Sequence, residues 1–341
     1  MALDISIPDP TPVLELLQAF RKSKTMFAAV ELGIFDALST QGRTIEQLAS
    51  QLELNSDALE RLLDALIGLG LLRRVGSEYS NTPAATTYLT SDSPRRMTGY
   101  IRYSNDVSWL LWQHLESAIR TGDNLWQQAF GWDGPIFANF FKTDAAKREF
   151  LMGMHGFGLI SSPHVVEAFD LSEFRHLVDL GGATGHLVIA ACRRYPHLRG
   201  TVFDLPDAVP LAREMIAQYE LSDRITVVAG DFFSDALPAA DLYCVGRILH
   251  DWSESKINVL LQKAFSHLPS GGAILVGEKM LAADKRGPDW AQMQNLNMLT
   301  CTEGKERTLA EYEQLLTRAG FVNVVGCCTQ SPLDAILARK P

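Results

Sequence analysis

From His176 onward, short apolar runs of strand character alternate with amphipathic stretches of helical period, and few folds can accommodate that alternation. The runs are H-L-V-D-L, G-T-V-F-D, I-T-V-V-A, D-L-Y-C-V and A-I-L-V-G-E. Helical segments such as Asp207 to Tyr219 and Ser253 to His267 lie between them. Parallel strands cannot be joined by a tight turn, so each needs a crossover connection, usually a helix. The pattern predicts an α/β domain with a mostly parallel sheet and helices on both faces. Two final runs, G-F-V-N-V-V-G and L-D-A-I-L-A-R-K, read as a hairpin closing the sheet edge and bring the sheet to seven strands. This domain is taken as residues 169–341.

The first hundred residues read differently. Met26, Phe27, Val30, Ile34 and Leu38 recur at helical spacing. A second helix runs from Thr44, its expected cap, to about Leu52. A third begins after Asn55 and Ser56, gathers Leu59, Leu62, Leu63, Leu66 and Ile67 on one face, and stops at Gly68 and Gly70. Then L-L-R-R-V, a turn at Gly76-Ser77-Glu78 and Y-S-N-T form a short hairpin. Helices followed by a hairpin make a winged-helix pattern over residues 1–100. Between Thr44 and Gly70 there are five acids and one base, Arg61, a balance that phosphates would repel. A structural or dimerising role is expected instead of DNA binding. The segment also carries more apolar helical surface than a small domain can hide, which points to a symmetric dimer. Residues 101–168 read as a helical connector rich in Trp, Phe and Met. Most of these side chains are expected to pack, and a minority to line a pocket for a flat apolar ligand.

Length and composition bound the rest. A chain of 341 residues suits two domains, and 47% apolar residues can fill two cores. Acids outnumber bases 40 to 31, for a net charge of -9, so nucleic acid is not an expected partner. Five cysteines, with no C-x-x-C spacing, read as buried reduced thiols. Met1 to Pro10 has two aspartates and no basic apolar leader, and no apolar run nears the roughly 20 residues a bilayer requires. A soluble, cytoplasmic protein with no membrane partner is expected.

The chemistry is written at the strand ends. The first strand runs into Asp179-Leu180-Gly181-Gly182-Ala183-Thr184-Gly185. Glycines there let a backbone approach a ligand closely. The spacing is G-G-x-x-G with an acid, Asp179, two residues earlier, not the dinucleotide G-x-G-x-x-G. The second strand ends in Phe203-Asp204-Leu205, and a carboxylate at such a tip can accept from both ribose hydroxyls. The third ends in Gly230-Asp231-Phe232, an acid beside an aromatic that suits adenine. A ligand-free turn and helix-capping aspartates are the bland alternatives. Three successive strand ends offering a loop, a ribose acid and an adenine clamp favour a nucleoside cofactor.

The fourth strand ends in Arg247-Ile248-Leu249-His250-Asp251-Trp252, with Ser253 expected to cap the next helix. His250 thus stands on the same rim as the cofactor loops. A phenol, with a pKa near 10, is a weak nucleophile at neutral pH. A neutral imidazole can take its proton as the oxygen attacks a sulfonium methyl group. Glu278, at the end of the fifth strand, and Glu306 are alternative partners to orient the ring. No metal-ligand cluster is apparent, so no metal is expected.

Several stretches resemble the plant-type small-molecule O-methyltransferases and, within them, the acetylserotonin O-methyltransferase-like group. They are D-L-G-G-x-x-G, T-V-F-D-L-P, G-D-F-F-x-D-x-L-P, R-I-L-H-D-W, the run L-N-M-L with T-E-G-K-E-R-T, and L-D-A-I-L-A-R-K. They span about Ala168 to Lys340. The resemblance implies a Rossmann-like, cation-independent methyltransferase domain behind a dimerising one. It implies that S-adenosylmethionine sits on Gly181, Asp204, Gly230-Asp231-Phe232 and Arg247, with His250 as base. It also implies homodimers whose first domain reaches the partner's pocket, and a substrate wall at Asn297 and Met298. Phe141, Met154 and His155 are added as pocket residues for a flat aromatic or enolic hydroxyl compound. Two departures stand out. Ala183 replaces a common third glycine. Phe141 and Gly158 stand where acetylserotonin enzymes have a tyrosine and a tryptophan, which argues against acetylserotonin itself as substrate. The competing readings are a nicotinamide oxidoreductase, a non-enzymatic winged-helix regulator, and a relative drifted to decarboxylation or hydroxylation.

Overall fold

The computed structural model describes residues 8–132 and 143–341; Phe141 lies outside the described residues. Contacts divide the chain between Asp106 and Val107 into two units.

In the first unit, helices Thr11–Glu31, Ile34–Ala37, Ile45–Leu52 and Ser56–Gly68 precede a hairpin of β1 (Leu72–Val75) and β2 (Glu78–Asn81). The expected cap at Thr44 forms, and Asn55 supplies a second. Thr44 and Gln47 make a reciprocal capping box, and Asn55 accepts from the Ala58 N–H. The apolar period from Met26 to Leu38 is broken into two helices at Gly33, whose φ of 72° is left-handed. Ala29, Ile34, Phe35, Leu48, Leu63 and Leu66 fill the core. On the first helix Val13, Leu14, Leu16, Leu17 and Phe20 stay 54–75% exposed, an apolar stripe that this unit does not cover.

The second unit is built on a seven-stranded sheet. Its strands are β3 (His176–Leu180), β4 (Arg199–Asp204), β5 (Ile225–Ala229), β6 (Leu242–Gly246), β7 (Ala273–Glu278), β8 (Val322–Cys327) and β9 (Asp334–Arg339). They lie in the order β5-β4-β3-β6-β7-β9-β8. The first five are mutually parallel, and β9 runs antiparallel between β7 and β8. The strand order reverses between β3 and β6. In open α/β sheets, ligands bind in the crevice outside the carboxyl ends at such a reversal. Val178, Tyr243, Val245, Ile274 and Val276 are fully buried, as continuous apolar strands covered on both faces require. The helices Trp109–Trp112, Leu115–Thr121, Trp126–Phe130 and Asp144–Glu167 also belong to this unit.

Two local expectations need correction. Ser253 sits at the N-cap position of helix Glu254–His267, but its hydroxyl pairs with Ser255 rather than with a helix N–H. Cys192, Cys244 and Cys301 are buried, whereas Cys327 is half-buried and Cys328 exposed, because β8 is an edge strand. No described helix is long and apolar enough to cross a membrane.

Candidate active site

The glycine loop leaves β3 with three residues in left-handed backbone, Gly181 at φ 74°, Ala183 at φ 48° and Gly185 at φ 78°. The strain at Ala183, about 1–2 kcal/mol for a residue with a Cβ, is the cost of lacking a glycine there. A Cβ on Gly181 would press on Ile248, and one on Gly182 would press on the Asp179 carboxylate. Asp179 is buried, and that burial, with the nearby Asp204 charge, pushes its carboxyl up to about 7.

Asp204 ends β4 and closes the loop onto it. Its two oxygens accept the N–H groups of Ala183 and Leu205, each at 2.7 Å. Burial raises its carboxyl, and those two bonds oppose the rise. After β5, Asp231 accepts from the Phe233 N–H at 2.8 Å. Lys263 reaches across from helix Glu254–His267 to donate to the Phe232 and Phe233 carbonyls at 2.9 and 3.1 Å. The Phe232 ring therefore has a fixed seat beside Gly181.

Beyond β6, Arg247 adopts a left-handed φ of 56° and turns the chain into a short 3-10 turn, Leu249–Asp251. Strain of this kind persists where the surroundings over-determine it, often at functional sites. The over-determination here comes from Glu278 at the tip of β7. Its Oε1 accepts both the Ile248 and Leu249 N–H groups at 2.9 Å. From the other side, Arg307 donates to the Leu249 carbonyl at 3.3 Å. Gly304 approaches so closely that a Cβ there would run into the His250 carbonyl oxygen.

These contacts hold His250, which is 3% exposed. Its Nδ1 lies 2.6 Å from Glu306 Oε1 and 3.2 Å from Glu278 Oε2. Only the first is a hydrogen bond by geometry, so both candidate acids sit at the imidazole while Glu306 orients it. The other nitrogen, Nε2, is 3.6 Å from Asp251, outside hydrogen-bond reach. Burial pulls the imidazole pKa down. The charges of Glu278, Glu306 and Asp251 overcome that and push it up to about 10. Burial raises Glu278 itself to about 7. The sequence-based expectation of no metal-ligand cluster also changes. His250, Glu278 and Glu306, far apart in the chain, bring their ligand atoms within 4.8 Å of one another. The 2.6 Å separation between nitrogen and oxygen is that of a charge-assisted hydrogen bond.

A cavity of about 10 Å³, room for a single water, opens at His250. Phe157, Arg247, Lys279, Trp290, Gln294 and Glu306 are among its walls. Trp290 is half exposed and stacks on Phe157, over which the Arg247 guanidinium also lies at 4.6 Å. The expected pocket residues scatter more widely. Met298 is buried, and Met154 half-buried. Asn297 accepts from the Trp112 indole N–H at 2.9 Å. His155 is buried with Nδ1 on Thr184 at 2.9 Å, behind the glycine loop and not among the cavity's walls. Lys279, Trp290 and Gln294 escaped the sequence reading. Lys279 follows the strand-end Glu278, and Gln294 lies one helical turn before Met298, the signals that could have found them.

Sheet order, a glycine loop without dinucleotide spacing, strand-tip acids and a buried imidazole across the reversal are the layout of S-adenosylmethionine-dependent methyltransferases. Comparison with known proteins narrows the class. A family model of the O-methyltransferase domain matches residues 112–322, and one of the O-methyltransferase dimerisation domain matches residues 14–91. Acetylserotonin O-methyltransferase of Gallus gallus is 39% identical over 338 residues, 97% of each chain. A crystal structure of human N-acetylserotonin methyltransferase in complex with SAM superposes with a TM-score of 0.91 at 35% identity, covering 99% of both chains. A Homo sapiens protein named as a bifunctional dTTP/UTP pyrophosphatase/methyltransferase is 39% identical over 336 residues; the chain spans 54% of its length. This chain belongs to the O-methyltransferase family and is an S-adenosylmethionine-dependent enzyme of that class.

The geometry around His250 yields a direct expectation. Glu306→Gln removes a negative charge 2.6 Å from Nδ1, so it destabilises the imidazolium. The pH at which His250 loses its proton should fall from about 10 toward the ordinary 6.5. Nitrogen-15 NMR of the labelled imidazole reads this, and an unchanged titration in the variant would contradict the pairing.

Proposed function

We propose that this enzyme methylates one hydroxyl of a flat, mostly apolar small molecule, a phenol, hydroxyindole or enol, with His250 as the general base. The observation that carries the reading is the His250–Glu306 bond. With Nδ1 engaged, Nε2 is the nitrogen left to receive a proton, and it belongs to a residue on the cavity wall. The ring's raised basicity suits that task once the proton is gone.

The residues present fit the cofactor. Asp204 spends one lone pair of each oxygen on a backbone N–H and keeps the others, enough to accept from a vicinal diol. Buried Arg247 Nη1 has no hydrogen-bond partner, which suits it to a carboxylate. Leu205, Asp231 and Phe232 would flank the adenosine, and Gly181 and Gly182 would let it approach the loop. The bound cofactor supplies an electrophilic methyl group on sulfur. The chain's own task is to align the acceptor oxygen, take its proton and exclude water. Phe157 and Met154 on helix Asp144–Glu167, with Trp290 and Met298 on helix Asp289–Cys301, offer an apolar surface worth about 25 cal/mol per Å² buried. They offer little to a sugar or phosphate, whose polar groups would stay unpaired. The small cavity means that rim side chains such as Trp290 shift to admit an acceptor.

The exposed stripe from Val13 to Phe20 falls at the start of the matched dimerisation domain, and we assign it to a symmetric homodimer. Light scattering should give twice the mass of one chain at micromolar concentration; a monomer would sink the assignment.

For catalysis, the test is turnover of labelled S-adenosylmethionine against a panel of phenols and enols, with a chelator present. Wild type should methylate at least one. His250→Ala should keep cofactor affinity and lose roughly 10²–10⁴-fold in turnover. Near-normal turnover in the variant, or methylation of carboxylates or amines only, would defeat the reading.

A further inference from the structure

The helix Asp144–Glu167 carries a notch cut to fit one imidazole. Gly158 and Ser162, one turn apart, lie on the same face. The ring of His186 fills the space between them. A Cβ on Gly158 would overlap its Cγ, Cδ2 and Nδ1, and Ser162 Oγ lies 2.8 Å from Nδ1. His186 is the first residue of helix His186–Arg194, directly after the glycine loop. It therefore stands at the carboxyl end of β3, beside β6 and Arg247, in the crevice where the strand order reverses. The residue as a whole is half-buried.

Sheet order says which part of a cofactor would meet it. Under the proposed cofactor reading, adenine lies at the end of β5 and ribose at Asp204 on β4. The other end of the molecule, the amino acid, then falls over β3 and β6. Arg247 and His186 lie near that end, close enough that the Arg247 charge acts on the His186 ring. We propose that His186 is a cofactor-positioning residue, held by Gly158 and Ser162 so that Nε2–H donates to the amino-acid carboxylate beside Arg247. The inference rests on the cofactor reading above.

The electronic state agrees. Burial, helped by nearby His155 and Arg247, pulls the His186 imidazole down to about 3, so the ring is neutral at physiological pH. The proposal requires the tautomer in which Nδ1 accepts from the Ser162 hydroxyl and Nε2 carries the proton. A neutral donor also adds no positive charge next to a sulfonium.

The test compares two ligands by calorimetry on the full chain. S-adenosylhomocysteine has the amino-acid end; 5′-methylthioadenosine has the same adenosine and thioether without it. His186→Ala should weaken S-adenosylhomocysteine roughly 10- to 100-fold, the loss of one hydrogen bond to a charged group. It should change 5′-methylthioadenosine less than twofold. Ser162→Ala, which removes only the ring's anchor, should show the same selectivity at smaller size and covers the case of an unstable His186 variant. Equal weakening of both ligands would make His186 a mere shaper of the loop and overturn the inference, as would no change in either. Wild-type protein binding neither ligand would instead bring down the cofactor reading, and this inference with it.

Discussion

Two buried carboxylates converge on one imidazole at the ends of β6 and β7, and much of the second unit exists to keep them there. Removing charges from water costs several kcal/mol each unless they are paired and hydrogen-bonded. Glu278 meets that cost by taking two backbone N–H groups and facing His250. Glu306 meets it at 2.6 Å from Nδ1. The loop that carries Glu306 must come very close to the His250 backbone, which only a glycine at 304 permits. Arg307, fully buried, ties the same loop to the Leu249 carbonyl. Thr308 then caps the next helix with Glu311 in a reciprocal box. The run E-G-K-E-R-T is thus a connected device: close approach, orienting acid, clamp and cap.

The sheet supplies the second half of the arrangement. Reversal of strand order between β3 and β6 opens one crevice with two sides. On one side, Asp204 and the Lys263-pinned Phe232 loop form a preorganised cradle. On the other stand Arg247, in strained backbone, and His250. Position along the sheet edge thereby becomes position along a ligand, from β5 to β7. This is why a small residue on a distant helix, Gly158, bears on the site: it decides where the His186 ring can sit.

The seven strands and the glycine loop were legible because strand ends are marked by residues whose type matters locally. His250 was legible for the same reason, as a titratable side chain at a strand tip. The choice between Glu278 and Glu306 was not. Glu306 lies 56 residues from His250 and reaches it only through the folded loop, so neither period nor spacing reports the contact. The convergence of the two acids with His250 into one cluster was hidden likewise. Lys279 follows a strand end, whereas Trp290 and Gln294 lie on helix Asp289–Cys301, whose residues show no sharp apolar face to mark which side lines the cavity. Where spacing misled, the cause was a single backbone dihedral: helical periodicity continues through Gly33 although the helix does not. The partners of two expected pocket residues, Thr184 for His155 and Trp112 for Asn297, lie far away in the chain, so no spacing reports them.

The claim on which the rest depends is that His250, held strongly basic by its carboxylate neighbours, must lose a proton before it can accept one from the substrate. The most direct measurement is the pH dependence of kcat/KM for wild-type enzyme with an acceptor whose own hydroxyl ionises well outside the range. Because the charged neighbours raise the imidazole to about 10, the rate should climb with pH through a single ionisation well above the ordinary 6.5. A profile that is flat from pH 6 to 10, or one whose midpoint lies at or below 6.5, would contradict the account.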